Sequence, residues 1–247
     1  MRFFVELSYN GTPFSGWQRQ PNATTVQSTL EDAFSMILRS PIQVTGCGRT
    51  DTGVHAKQYF MHFDFSEDFP KHFLDRLNKV LPAEIAIHRI FAVENDAHAR
   101  FAAYHRSYEY HLVLSKNVFE KETAYYFPFE QFLDFDKMNE AASLLMNYDE
   151  FFPFCKTNTD VKTMICDLKR SEWVTDKSTG KLIYHVSANR FLRGMIRLIV
   201  GMCLNVGTGK VDLKTVKQAM EQQRRLEKSW SVPPQGLFLC DIRYPFI

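Results

Sequence analysis

The segment of residues 46–56 combines three glycines with one carboxylate. Asp51 lies near its centre, with Arg49 two residues before it and His55 four residues after it. Glycine adopts positive φ angles and lets a ligand backbone approach closely. The pattern is typical of a loop that presents one carboxylate to a substrate. A tight turn capped by an Asx hydrogen bond from Asp51 explains the same residues equally well.

A second group that could take part in chemistry consists of arginines in an apolar segment. Arg190, Arg193 and Arg197 follow at spacings of three and four, which predicts one stripe along a helix. A guanidinium directed at Asp51 would keep that carboxylate ionised and oriented. For each arginine taken singly, a solvated helix face is the simpler interpretation.

A third group is aromatic and lies at the start of a predicted strand. Tyr108 and Tyr110 alternate along it and therefore point to one face of the sheet. That face is either part of the apolar core or a platform for a base pulled out of an RNA stack.

The elements that position these residues can be read from hydrophobic periodicity. Alternation predicts a strand at residues 3–9, and Thr24 followed by Gln27 predicts a capping box at the start of a helix that Pro41 closes. Strands near 42–45 and 59–65, a helix near 73–81 and a strand near 85–91 complete the N-terminal half. The order is β-α-β-β-α-β, which ferredoxin-like folds and RNA-recognition modules share.

The second half repeats that order without repeating the sequence. We predict an α+β protein of two ferredoxin-like, RRM-like halves with antiparallel sheets. Residues 1–98 carry the Asp51 loop, and residues 99–247 carry the arginine-bearing helix. Residues 116–133 and 151–156 are interpreted as insertions in the second half.

Composition limits the class of protein. The 247 residues are 45% apolar, which suffices for one large domain or two of ordinary size. We expect no targeting segment, and the longest apolar helix candidate is too short and too charged to span a bilayer. Five Cys without a C-x-x-C motif argue against a disulfide framework or a zinc site and favour a reducing, cytoplasmic compartment. The net charge of +2 does not by itself indicate nucleic-acid binding.

In combination, these motifs resemble the tRNA pseudouridine synthase A family along nearly the whole chain. The segment from Gly48 to Ala56 is the most specific match, because it corresponds to the catalytic signature of that family. Four further matches occur in the same order as in the family: residues 9–20, 99–110, 191–201 and 236–245.

The resemblance implies that Asp51 is catalytic, that Arg197 is its partner, and that Tyr108 contacts the base. It also implies a positively charged cleft between the halves, a homodimer, and neither cofactor nor metal. The substrate implied is uridine at nucleotides 38, 39 and 40 in the anticodon stem-loop of tRNA.

Three further residues, Arg49, His55 and Arg19, are predicted to bind substrate. Arg49 is the candidate to fill the space that the extruded base leaves and to hold phosphate. A lone carboxylate at residue 51 suits an isomerisation, since net hydrolysis of a glycosidic bond normally needs a second carboxylate. The alternatives are a non-catalytic RNA-binding module, a base-releasing glycosidase and, last, a metal enzyme.

Overall fold

A computed structural model describes residues 1–156 and 163–247 of the chain. Contacts divide the chain into two compact units. Unit 1 is Met1–His105 with Phe238–Ile247, and unit 2 is Arg106–Leu237. The predicted division into domains at residues 98 and 99 stays a prediction.

The described residues form nine strands and five α-helices, and the protein is therefore of mixed α+β class, as predicted. The strands are β1 (Arg2–Tyr9), β2 (Thr45–Gly46), β3 (His55–Asp64), β4 (Ile85–Val93), β5 (His105–Val113), β6 (Tyr125–Tyr126), β7 (Leu168–Thr175), β8 (Leu182–Ala188) and β9 (Leu237–Arg243). The helices are α1 (Val26–Leu38), α2 (Phe73–Val80), α3 (Phe135–Leu144), α4 (Met195–Gly207) and α5 (Leu213–Glu221).

In unit 1, strand β1 is central. It pairs antiparallel with β3 on one side and with β4 on the other. Strand β2 pairs antiparallel with β3, and the start of β3 also pairs in parallel with β9 through His55 opposite Phe238. The alternating residues that predict β1 are all buried: Phe3, Val5, Leu7 and Tyr9. Phe4 lies on the opposite face of the strand and is also fully buried.

Helix α1 begins one residue later than the sequence predicts. Its N-cap is Thr25, whose hydroxyl accepts from the backbone N–H of Ser28, and the Ser28 hydroxyl in turn accepts from the N–H of Thr25. The predicted capping box of Thr24 and Gln27 is therefore wrong. A buried Thr25 wins the capping position, because it satisfies an end group of the helix that would otherwise lack a partner.

In unit 2, the strands lie in the order β5-β8-β7 with antiparallel pairing, and β6 pairs in parallel with β5. Helix α4 is buried on nearly every side and packs against α3. Arg190 and Arg193 precede this helix, since Gly194 forms its N-cap in the left-handed conformation with φ 71°. The predicted stripe of three arginines is therefore wrong, and only Arg197 is helical.

Candidate active site

Asp51 lies in the loop between β2 and β3 of unit 1 and is half-buried. The backbone closes a turn directly after it, where the Asp51 carbonyl accepts from the N–H of Val54 at 3.1 Å. Gly53 supplies the positive φ of 77° that this turn uses. The loop thus contains a turn, as its glycines predict, and a backbone bond closes that turn.

The residue before Asp51 is fixed at two atoms. The Thr50 carbonyl accepts from the N–H of Trp17 at 3.2 Å, and the Thr50 hydroxyl bonds the hydroxyl of Tyr9 at 2.9 Å. Gly16 makes this approach possible: its φ is 83°, and a Cβ on it would lie 2.6 Å from the Thr50 carbonyl oxygen. Residues 16 and 17 therefore support the backbone that carries Asp51.

An aromatic pair supports the loop from below. Trp17 stacks on Tyr59 with ring centroids 4.1 Å apart, and the Tyr59 hydroxyl donates to the carbonyl of Gly48. Burial raises the pKa of Tyr59 well above its usual value, so the phenol stays protonated as this donor. A Cβ on Gly46 would lie 2.2 Å from the Tyr59 hydroxyl, which explains the glycine at the end of β2, directly before the loop.

His55 supports the other end of the loop. Its side chain is 2% exposed and stacks on Phe238 with centroids 4.6 Å apart. Its Nδ1 accepts from the N–H of Gly11 at 3.1 Å, which places the proton of the neutral ring on Nε2. A Cβ on Gly11 would lie 2.0 Å from the carbonyl oxygen of Val54, so the two backbones touch here as well.

The two arginines of unit 1 that are predicted to bind substrate differ in their surroundings. Arg49 is exposed at the edge of the loop. Arg19 is held by two carboxylates of α1, with Nε 3.1 Å from Glu31 Oε2 and Nη2 3.0 Å from Asp32 Oδ1.

In unit 2, Tyr108 and Tyr110 differ in exposure although they share a face. Tyr108 is half-buried and meets Phe191 edge to face at 5.2 Å. Tyr110 is fully buried and donates its hydroxyl to the carbonyl of Pro233 at 2.8 Å. Of the predicted pair, Tyr110 therefore belongs to the core.

Arg197 lies in the first turn of α4. Its Nε donates to the carbonyl of Val232 at 2.7 Å, and the N–H of Val232 donates to the Arg197 carbonyl at 3.2 Å. One turn further on, a Cβ on Gly201 would lie 1.9 Å from the carbonyl oxygen of Trp230. Residues 230–232 thus lie directly on the helix and set the direction of the guanidinium.

Comparison with known proteins identifies the family. A family model described as tRNA pseudouridine synthase matches residues 148–245. The protein is 44% identical to tRNA pseudouridine synthase A of Porphyromonas gingivalis, covering 99% of this chain and 97% of the relative. The chain belongs to the tRNA pseudouridine synthase A family.

Other relatives with that name extend the same match. The protein is 41% identical to the one from Bacteroides fragilis, across 99% of this chain and 96% of the relative, and 34% identical to the one from Bacillus subtilis, across 99% of each. The resemblance inferred from the motifs is confirmed, and the family's members are isomerases. The roles predicted for individual site residues stay predictions.

The sequence did not predict the residues that support the Asp51 loop. Tyr9, Trp17 and Tyr59 hold the backbone that precedes Asp51. Gln27 and Glu31 hold Val44, in the segment that leads into the loop. Only Trp17, beside a glycine in a loop rich in turn residues, offers a signal in the sequence.

In residues 1–156 and 163–247, no group of three or more His, Cys, Asp or Glu is arranged to hold a metal ion. Over the same residues, no helix has the length and apolar character needed to cross a membrane.

Proposed function

We propose that the protein isomerises uridine to pseudouridine in tRNA and that Asp51 is the catalytic residue. The observation that carries this proposal is the fixing of Thr50 at both its carbonyl and its hydroxyl. A single carboxylate accelerates a reaction only when it is held in the reactive geometry, and a rigidly carried backbone supplies that condition. Membership of the family supports the same reaction.

The chemistry requires one well-placed carboxylate and no redox partner. The N1–C1′ bond breaks, the uracil turns, and C5 joins C1′, while a proton leaves C5 and N1 gains one. Positive character develops at C1′ as the glycosidic bond breaks, which a nearby carboxylate stabilises. Two routes are open to Asp51: attack on C1′ as a nucleophile, or removal of a proton from the sugar. We propose neither a cofactor nor a metal.

Two residues of unit 2 are proposed to complete the site. Tyr108 stacks on the extruded uracil, which has left its helical stack at a cost of a few kcal/mol. Its partial exposure and its edge contact with Phe191 support that role. Arg197 keeps Asp51 ionised and oriented, and the bonds that hold Arg197 to Val232 support a fixed direction for its guanidinium.

We propose different roles for the three other residues that are predicted to bind substrate. Arg49, which is exposed, holds phosphate and occupies the space of the extruded base. Arg19 and His55 act through the loop, because Arg19 is paired with two carboxylates and His55 is buried against Phe238.

The proposed targets are nucleotides 38, 39 and 40 in the anticodon stem-loop of tRNA. We propose a ferredoxin-like arrangement for each unit. The order β4-β1-β3 with β2 beside β3 in unit 1, and β5-β8-β7 in unit 2, supports it. We further propose a homodimer, which light scattering tests, and a cytoplasmic location, since tRNA is the proposed substrate.

The experiment is to map pseudouridine by mass spectrometry on an unmodified tRNA transcript. The transcript is incubated with the purified protein or with the Asp51→Asn variant. We expect pseudouridine at nucleotides 38–40 with the wild-type protein and none with the variant, while tRNA binding persists. Free uracil would indicate a glycosidase, and binding without product would indicate an RNA-binding module. Product formed by the variant at the wild-type rate would rule out the role of Asp51.

A further inference from the structure

Two side chains of α1 that lie one helical turn apart, Gln27 and Glu31, form a partly buried polar network. Glu31 is 8% exposed, and its Oε1 accepts from the Gln27 amide at 3.1 Å and from the N–H of Val44 at 3.2 Å. The Gln27 amide also donates to the Val44 carbonyl at 3.1 Å. Both backbone polar groups of Val44, a buried residue, are thus bound by one face of the helix.

The same turn of α1 also binds a second segment, residues 17–19. The N–H of Arg19 donates to Gln27 Oε1 at 3.0 Å, and the N–H of Gln27 donates to the carbonyl of Trp17 at 3.0 Å. On the other carboxylate oxygen of Glu31, the Nε of Arg19 forms an ion pair at 3.1 Å. Arg19 thereby supplies the positive charge that a buried carboxylate requires.

These contacts close a ring around the Asp51 loop. Val44 leads into β2 and the loop, and the loop reaches Thr50, whose carbonyl is bound by Trp17. Trp17 is in turn bound by the backbone N–H of Gln27, whose side chain holds the carbonyl of Val44. Helix α1 therefore fixes both the segment that leads into the loop and, through Trp17, the residue before Asp51.

We propose that Glu31 is a positioning residue for catalysis, which acts with Gln27 to hold the Asp51 loop in the position that the reaction needs. This inference rests on the proposed catalytic role of Asp51. Neither Glu31 nor Gln27 contacts substrate in this proposal. The Val44 link is the essential part, and the Arg19 link balances the charge.

The chain offers a matched control on the next residue of the same helix. Asp32 also pairs with Arg19, at 3.0 Å, but its side chain is 72% exposed. Asp32→Ala therefore removes a carboxylate from Arg19 and leaves the bonds of Val44 in place. Glu31→Leu removes the bonds that Glu31 makes to Val44 and to Arg19. Glu31→Gln keeps an acceptor for Val44 and loses only the ion pair with Arg19.

The test measures the single-turnover rate of pseudouridine formation at saturating enzyme, and tRNA affinity by filter binding. Both are measured at a temperature well below the midpoint of thermal unfolding of each variant. We expect Glu31→Leu to lower the rate at least tenfold, because misplacements near 1 Å cost up to about 100-fold. Its tRNA affinity should stay within about threefold of wild type. Glu31→Gln and Asp32→Ala should keep rates within about threefold. Gln27→Met, which loses the bonds to Val44 and to Arg19 together, carries the same test if Glu31→Leu does not fold.

Three results would overturn the proposal. Glu31→Leu or Gln27→Met could react as fast as Asp32→Ala, which would leave the network a purely structural role. Equal losses in Glu31→Leu and Glu31→Gln would point to the charge of Glu31, and a loss confined to tRNA affinity would make the network a substrate contact. Failure of the proposed function is distinguishable from these, since it appears as no product with wild-type protein or as undiminished product with Asp51→Asn.

Discussion

Replacing Gly16 with alanine should displace the Asp51 loop, and the structure sets the size of the effect. The φ of Gly16 is 83°, in the region that L-residues with a Cβ avoid at a cost of about 1–2 kcal/mol. The added Cβ would also lie 2.6 Å from the carbonyl oxygen of Thr50. Even close C–H···O contacts keep about 3.3 Å, so the carbonyl must retreat by about 0.7 Å.

Such a displacement affects both stability and rate. The overpacked contact destabilises the fold by about 1–3 kcal/mol in addition to the backbone cost. We therefore expect a total destabilisation of about 2–5 kcal/mol. The Thr50 carbonyl is bound by the N–H of Trp17, which turns away with the same movement. Because Asp51 follows directly, we expect the rate of pseudouridine formation to fall by roughly 10- to 100-fold.

Urea unfolding followed by tryptophan fluorescence measures the first effect, and single-turnover kinetics measures the second. Gly48→Ala is the control for stability, since a Cβ at that position of the same loop meets nothing within 4 Å. Its free energy of unfolding should stay within about 0.5 kcal/mol of wild type. If Gly16→Ala matched Gly48→Ala in stability and kept the wild-type rate, the rigid support of Asp51 by residue 16 would be refuted.

Two further predictions concern acid stability and stacking. Burial, aided by Arg2 and His98, lowers the pKa of His62 to about 4, so the folded protein resists a proton that the unfolded chain accepts near pH 6.5. The resulting stability is complete above pH 6.5 and is lost as the pH falls towards 4, by up to about 3 kcal/mol. His62→Asn, which keeps an acceptor for the N–H of Ala99, should flatten this dependence in urea titrations at pH 7 and pH 5, and an unchanged slope would contradict the assignment. Tyr108→Phe should keep most activity. Tyr108→Ala should lose about 1–3 kcal/mol of stacking free energy, which corresponds to a loss of activity of roughly 5- to 150-fold. Equal losses in the two variants would assign the effect to the hydroxyl.

Periodicity predicted most elements of unit 1, because local sequence determines a strand such as β1 and the apolar face of α1. The strand predicted at residues 42–45 is instead the two-residue strand β2, Thr45–Gly46. It failed at element ends, where single residues compete. Thr24 and Thr25 offer the same hydroxyl, and only the fold shows that Thr25 is the one buried at the cap. Likewise, the arginine spacing predicted a helix through Arg190 and Arg193, but Gly194 starts that helix later.

The motif around Asp51 was readable from the sequence, whereas its supports were not. The glycines and the carboxylate are adjacent in the chain, and their combination therefore appears as a local motif. Tyr9 and Tyr59 reach the loop from strands, and periodicity marks them only as ordinary core residues. Gln27 looked like half of a capping box, and its actual partners, Val44 and Arg19, follow only from the packing of α1.

The placement of residues 238–247 in unit 1 has a consequence for biosynthesis. The side-chain oxygen of Gln58 accepts a hydrogen bond from the N–H of Ile242, 184 residues later in the sequence. The hydroxyl of Tyr244 donates to the carbonyl of Ala99. A ribosome delivers all of unit 2 before these partners emerge. The unit that is synthesised first is therefore completed last, and its exposed strand edge waits through most of translation, when pairing with other chains competes.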